Sequence, residues 1–205
     1  VLELPAGTAA HPGVILLPGS SGWHPAFNEM TQELAEAGFA ALSLDYLGEG
    51  GRNPSPEQRE QRFPVWQKTV RHAVTFLQGH PAVLGEPVGI VGYALGAFLA
   101  LRTAPMLSGS GAIVEFFGWM EPLTGERGNL PPVLILHGEA DTMIPVSKAY
   151  GLRDAILAGS GGAAYWSLVR AWRYGPASSS GRAASKIDNA CPNFMAPPLS
   201  CPSTL

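Results

Sequence analysis

In this chain the residues whose types and spacing could do chemistry lie where short apolar runs end. Val88-Gly89-Ile90-Val91 leads into Gly92-Tyr93-Ala94-Leu95-Gly96, a G-x-S-x-G spacing with alanine at the central position. That spacing suits a strand turning sharply into a helix. Side chains at either glycine would collide with neighbouring backbone. The turn would aim the side chain at 94, and the N–H groups that open the helix, at one point in a crevice. A hydroxyl or thiol there could attack an acyl carbon while the N–H groups held the resulting oxyanion. An ordinary glycine-containing strand-to-helix turn would produce the same spacing.

Two other run ends offer partners for such a site. Val133-Leu134-Ile135-Leu136 is followed by His137-Gly138-Glu139-Ala140-Asp141, and an acid in that place could orient a histidine base. A lone Asp before a helix can also serve as an N-cap or close an Asx turn. Val14-Ile15-Leu16-Leu17 runs into Pro18-Gly19-Ser20-Ser21-Gly22-Trp23-His24. A Gly/Ser loop there could supply a second oxyanion N–H from its backbone, or be a plain turn.

The elements that must position these groups are legible as alternating runs. Phe27, Met30 and Leu34 fall on one helical face that stops at Gly38. Phe39 to Leu44 reads as a second strand. Trp66, Val70, Ala73, Val74 and Leu77 predict a long amphipathic helix closed by Gly79 and Pro81. Leu95 to Leu101 predicts a helix ending before Pro105, Ala112 to Phe116 a strand, and Val146 to Leu157 a further helix. The alternation predicts an α/β fold, a doubly wound and mainly parallel sheet with helices on both faces. Ligands of such sheets bind at the carboxyl ends of the strands, where all three candidate loops lie. One domain over residues 1–158 is expected. Residues 159–205 are expected to be atypical and poorly ordered, being rich in Ser, Ala, Pro and Gly, with Tyr165 to Val169 as one possible further strand.

The bulk properties narrow the partners. A hydrophobic share of 46% with 14% charged residues fits a soluble globular domain. A formal net charge of −3 gives no reason to expect nucleic acid or an anionic membrane as partner. No apolar run approaches the roughly 20 residues of a membrane span. The start lacks a secretion signal, so a cytoplasmic setting is the expectation, and the missing initiator Met suggests a trimmed N-terminus. Cys191 and Cys201 make neither a disulfide scaffold nor a metal site. Neither a G-x-G-x-x-G nor a P-loop is present, and no cofactor or metal is expected.

Leu17-Pro18-Gly19-Ser20-Ser21-Gly22, Ala41-Leu42-Ser43-Leu44-Asp45-Tyr46, Gly92 to Ala97 and His137 to Asp141 together resemble the dienelactone hydrolase family. The resemblance covers about residues 10–158. It implies an α/β-hydrolase fold and hydrolysis of a small-molecule carboxylic ester or lactone by a Ser or Cys, His and Asp triad, without a metal. Carried across, the nucleophile position is Ala94 and the acid is Asp141. Oxyanion donors or substrate contacts would come from Leu95, Ser20, Ser21 and Tyr93. Dienelactone hydrolases proper carry a Glu in the first loop, where this chain has Gly19-Ser20-Ser21. That favours a simple ester or related acyl substrate.

Two departures mark the chain. Ala94 cannot attack a carbonyl, which an engineered replacement, a natural loss of activity, or a turn that never held a nucleophile would each explain. No histidine follows Asp141; all five, His11, His24, His72, His80 and His137, precede it. His72 and His80 read as surface residues, His137 as satisfying a backbone group, and His24 as the one that could reach the crevice. Reading Ala171-Trp172-Arg173 one base later would give His-Gly if codon 171 is GCA, so a frameshift after about Leu157 is one origin for the loss. The expectation is therefore a hydrolase scaffold inactive as written. The alternative is a non-catalytic module that uses the crevice to bind a small molecule or protein, with Trp23, Tyr93, Trp119 and Glu121 near it.

Overall fold

The computed structural model describes residues 1–85, 87–119, 130–158 and 164–169, all within one compact unit, Val1–Tyr174. Cys191, Cys201, Glu121 and the Ala171–Arg173 triplet lie outside the described residues. Seven strands form one sheet: β1 (Leu2–Glu3), β2 (Gly13–Leu17), β3 (Ala40–Ser43), β4 (Val88–Tyr93), β5 (Ser110–Phe116), β6 (Val133–Gly138) and β7 (Ala164–Val169). Their order is β1-β3-β2-β4-β5-β6-β7. β1 pairs antiparallel to β3 and the other neighbours are parallel. β7 is the further strand anticipated around Tyr165, and it carries the sheet past residue 158.

The apolar runs become strands because both sheet faces are covered where they lie. Along β2, Ile15 and Leu17 face a larger core, and Val14 and Leu16 face a smaller one. The larger core takes its helical residues from α2 (Pro56–Gln78), α3 (Leu95–Thr103) and α4 (Ser147–Ala158), among them Val70, Leu77, Leu99 and Leu152. The smaller is closed by Phe27 of α1 (Ala26–Glu36). Each such fully buried side chain contributes roughly 1.5–3 kcal/mol.

One boundary differs from the sequence expectation. The apolar repeat places a helix from Trp66, whereas α2 starts at Pro56. Pro64, which has no N–H for the preceding turn, lies inside the helix. The start is set instead by a capping box. Ser55 Oγ accepts the Gln58 N–H and Gln58 Oε1 accepts the Ser55 N–H at 2.9 Å, with Pro56 next in the chain.

The chain moves from β2 to β3 in one direction along the sheet and resumes on the other side of β2 with β4. The direction therefore switches between β2 and β4. In open parallel sheets this is the point where loops leaving the carboxyl ends of neighbouring strands part and ligands bind.

Candidate active site

Ala94 sits at that switch point, between β4 and α3, as the N-cap of α3 with φ 48° and ψ −110°. A non-glycine residue rarely takes this conformation. Two glycines make it feasible. A Cβ built on Gly92 would lie 2.5 Å from the Ala97 Cα, and one on Gly96 would lie 2.3 Å from the Leu17 carbonyl oxygen. The first turn of α3 is thus packed directly against its own strand and against the end of β2. The Ala94 N–H donates to the Phe116 carbonyl at 3.0 Å, and the Ala94 carbonyl accepts the Phe98 N–H at 3.1 Å. Leu95 follows with its side chain buried in the larger core. Its N–H belongs to the opening turn of α3, where helix amides lack partners within the helix.

The loop after β2 meets this turn. A Cβ on Gly19 would come within 3.5 Å of the Ala94 Cβ, so the Gly19–Ser20 backbone runs beside residue 94. Tyr46 donates to the Pro18 carbonyl at 2.9 Å, which holds the loop from beneath. Burial and the Asp45 charge both raise the Tyr46 hydroxyl well above its ordinary range. The Gly22 N–H closes a turn onto Gly19, and the Ser20 carbonyl accepts the Asn53 N–H. The Ser20 hydroxyl reaches Asn53 Oδ1 at 3.4 Å, and Ser21 is exposed.

Tyr93 turns to the other face of the sheet. Its ring stacks on Phe116, with centroids 4.7 Å apart, and meets Phe27 edge-on. Burial pushes its hydroxyl well above the usual range, with the Glu33 charge adding to the effect. Trp23 packs against the same cluster, whereas Trp119 stacks on Phe98 of α3.

Asp141 is buried and its carboxylate is already engaged. Oδ1 accepts the Met143 N–H at 2.8 Å and the Ile144 N–H at 2.9 Å, which closes an Asx turn ahead of α4. His137, at the end of β6, lies within 2.7 Å of the Ile144 carbonyl through Nε2 and 3.9 Å from Asp141 Oδ2. Bonded to that carbonyl, Nε2 carries the proton. His137 therefore satisfies a backbone group, as the sequence indicated, and in doing so holds the loop bearing Asp141. His24 is exposed, caps the Ala26 N–H through Nδ1 and packs edge-on against Phe27. His72 is exposed, and His80 accepts the Ala82 N–H.

Sequence reasoning missed Glu115. It is fully buried near the end of β5, its Oε2 accepts the Gly118 N–H at 2.6 Å, and Oε1 has no partner among the described residues. Burial raises its pKa to about 8, against the lowering effect of the Gly118 N–H. The signal was a single carboxylate inside the apolar run Ala112-Ile113-Val114-Glu115-Phe116. Among the described residues no group of three or more His, Cys, Asp and Glu could hold a metal ion, and no helix is long and apolar enough to cross a membrane.

The profile of the dienelactone hydrolase family matches residues 1–161. The chain belongs to that family. A Bradyrhizobium protein named for 2-oxo-3-(5-oxofuran-2-ylidene)propanoate lactonase activity is 30% identical over 75% of this chain and 63% of its own length. Acyl-coenzyme A thioesterase 1 of Rattus norvegicus is 29% identical over 76% of the chain and 35% of its own length. The chain thus spans between a third and two thirds of these relatives. A dienelactone hydrolase-like promiscuous phosphotriesterase from metagenomic libraries superposes with a TM-score of 0.68 at 23% identity, covering 79% of this chain and 72% of that one. At that identity the match shows a shared fold, the α/β-hydrolase architecture built here around the β2–β4 switch point.

Proposed function

We propose that this member of the dienelactone hydrolase family carries the site of an acyl hydrolase for a carboxylic ester, lactone or thioester, and that the chain as written does not turn over. The observation that carries this reading is the backbone at Ala94. A residue held at φ 48° and ψ −110° between two glycines with no room for a Cβ supports a nucleophile elbow at this turn. A side chain there stands between the first turn of α3 and the Gly19–Ser20 loop, where a hydroxyl or thiol would attack the acyl carbon. The Leu95 N–H and an N–H near Ser20 would form the oxyanion hole. Asp141 would orient a histidine base. Ester, lactone and thioester share the same tetrahedral intermediate, and the lactonase and thioesterase names of the relatives support that substrate class.

Ala94 brings no nucleophile, and the sequence has no histidine after Asp141. The purified chain, assayed with short-chain nitrophenyl esters and acyl thioesters, is expected to show no turnover above buffer. Robust hydrolysis blocked by a serine-directed phosphonate overturns this reading. Sequencing the coding DNA across codons 90–175 tests the frameshift origin, since any codon but GCA at Ala171 removes it.

A second reading, a non-catalytic binding module, is favoured by the Asp141 carboxylate, whose Oδ1 already takes two N–H groups of its own loop. It predicts saturable binding of a small acyl compound to the unaltered chain, lost when Ala94 is replaced by Trp.

A further inference from the structure

Glu115 has no part in the proposed chemistry, yet it lies behind the turn that would carry it. In the sheet it stands in register between Gly92 of β4 and Ile135 of β6. It shares the face of Ile113 and Ile135, toward α3, opposite the Tyr93–Phe116 stack. Its Oε2 takes the Gly118 N–H. A Cβ built on Gly118 would lie 2.5 Å from that oxygen and 2.8 Å from the Ala97 Cβ, so the bend over residues 116–118 is closed with no space left. Phe117, inside it, has φ 42°, a conformation that needs a surrounding constraint. The bend then reaches two ways. Its Phe116 carbonyl accepts the Ala94 N–H, and its Phe117 N–H donates to the Leu136 carbonyl at 2.8 Å.

We propose that Glu115 is a positioning residue for the turn at residue 94, and that a change of charge on its carboxyl is transmitted to the Ala94 N–H through Gly118 and the Phe116 carbonyl. The mechanism follows from burial. A neutral carboxyl tolerates one hydrogen bond and an apolar wall, whereas a carboxylate with an unsatisfied oxygen requires water or a rearranged bend. The midpoint lies where the charge changes, near 8.

Among the described residues the titratable groups on the elements packed against Glu115 are few. On β4, Tyr93 projects to the opposite face. On β6, His137 shares the face of Ile135, with its Nδ1 buried and unpartnered and Asp141 beside its Nε2. On α3, Arg102 sits over the Phe63 and Phe98 rings. The role assigned to residue 94 gives the relay its meaning, but the test needs no turnover, so it can fail or succeed independently of that role.

The experiment is amide hydrogen exchange and a ¹H–¹⁵N titration on the isotope-labelled chain. Ala94 and Gly118 are expected to shift with one shared midpoint near 8. Protection of the Ala94 amide should fall by about tenfold from one pH unit below that midpoint to one above, beyond the ordinary base dependence of exchange. Glu115→Gln keeps an acceptor for Gly118 and cannot ionise, so its Ala94 protection should stay level. A titrating Gly118 beside an unmoved Ala94 overturns the relay, as does an equal fall in Glu115→Gln. Should that variant misfold, the shared midpoint in the unaltered chain decides alone.

Discussion

Ala94 holds a backbone conformation that costs about 1–3 kcal/mol for a residue with a Cβ, and a methyl group gives nothing chemical in return. Ala94→Gly is therefore expected to stabilise the fold by about 1 kcal/mol, read as a higher urea midpoint with unchanged slope. A lower midpoint would mean that the methyl packs against Gly19 more favourably than the turn is strained. Glu115 gives a second prediction at this scale. Its pKa is 4.5 in the unfolded chain and about 8 in the folded one, so between those values the native state binds the proton more tightly. Stability is then full below the lower value and is lost as pH rises through the upper one, by up to about 5 kcal/mol. Urea midpoints measured from near the lower value to just above the upper one should show the fall, and Glu115→Gln should flatten it. The strained position at 94 was legible because two glycines four apart, at the end of an apolar run, suit a turn too tight for side chains on its flanks. The burial of Glu115 was not, since a carboxylate in an apolar run can equally mark a strand edge.

Elements reveal how those residues are held. The first turn of α3 rests on the Leu17 carbonyl through Gly96, while Gly151 lies in α4 with nothing among the described residues within 4 Å of a built Cβ. Gly96→Ala should therefore leave little or no folded protein. Gly151→Ala should raise stability by up to about 1 kcal/mol through helix propensity alone. Thermal melts of the two variants side by side check the contrast, and a well-folded Gly96→Ala would mean that α3 can slide off β2. The parallel strands and α1, α3 and α4 could be read from the sequence, because each buries an apolar run or stripe whose period gives it away. The front half of α2 could not. Its residues 56–62 are polar apart from Pro56, a second proline follows at 64, and what fixes them is the Ser55–Gln58 box and the continuation into the buried Trp66 stripe. Replacing Ser55 by Ala should cost about 1 kcal/mol, seen as a lower melting temperature with the same cooperativity.

At the level of the whole molecule, three loops from β2, β4 and β6 contribute to one proposed site, and the proposed turnover would require all of them together with a base. Ala94→Ser alone is expected to leave ester hydrolysis at background, because removing either nucleophile or base costs several orders of magnitude and the two losses are far from additive. Brisk hydrolysis by that single variant would show that a group other than a downstream histidine takes the proton. The family and the sheet were readable from the order of the loops along the chain. Whether Asp141 serves a base or only its own turn was not, because an Asx turn and a triad acid ask the same of the sequence. The left-handed turn at Ala94 also has a consequence for ancestry. Alanine and serine codons differ by one base, and the turn that would display a hydroxyl is already built. A lineage carrying this chain stands one point mutation from a hydroxyl at this turn, so under the proposed chemistry the supply of a base, not of a nucleophile, would pace any turnover.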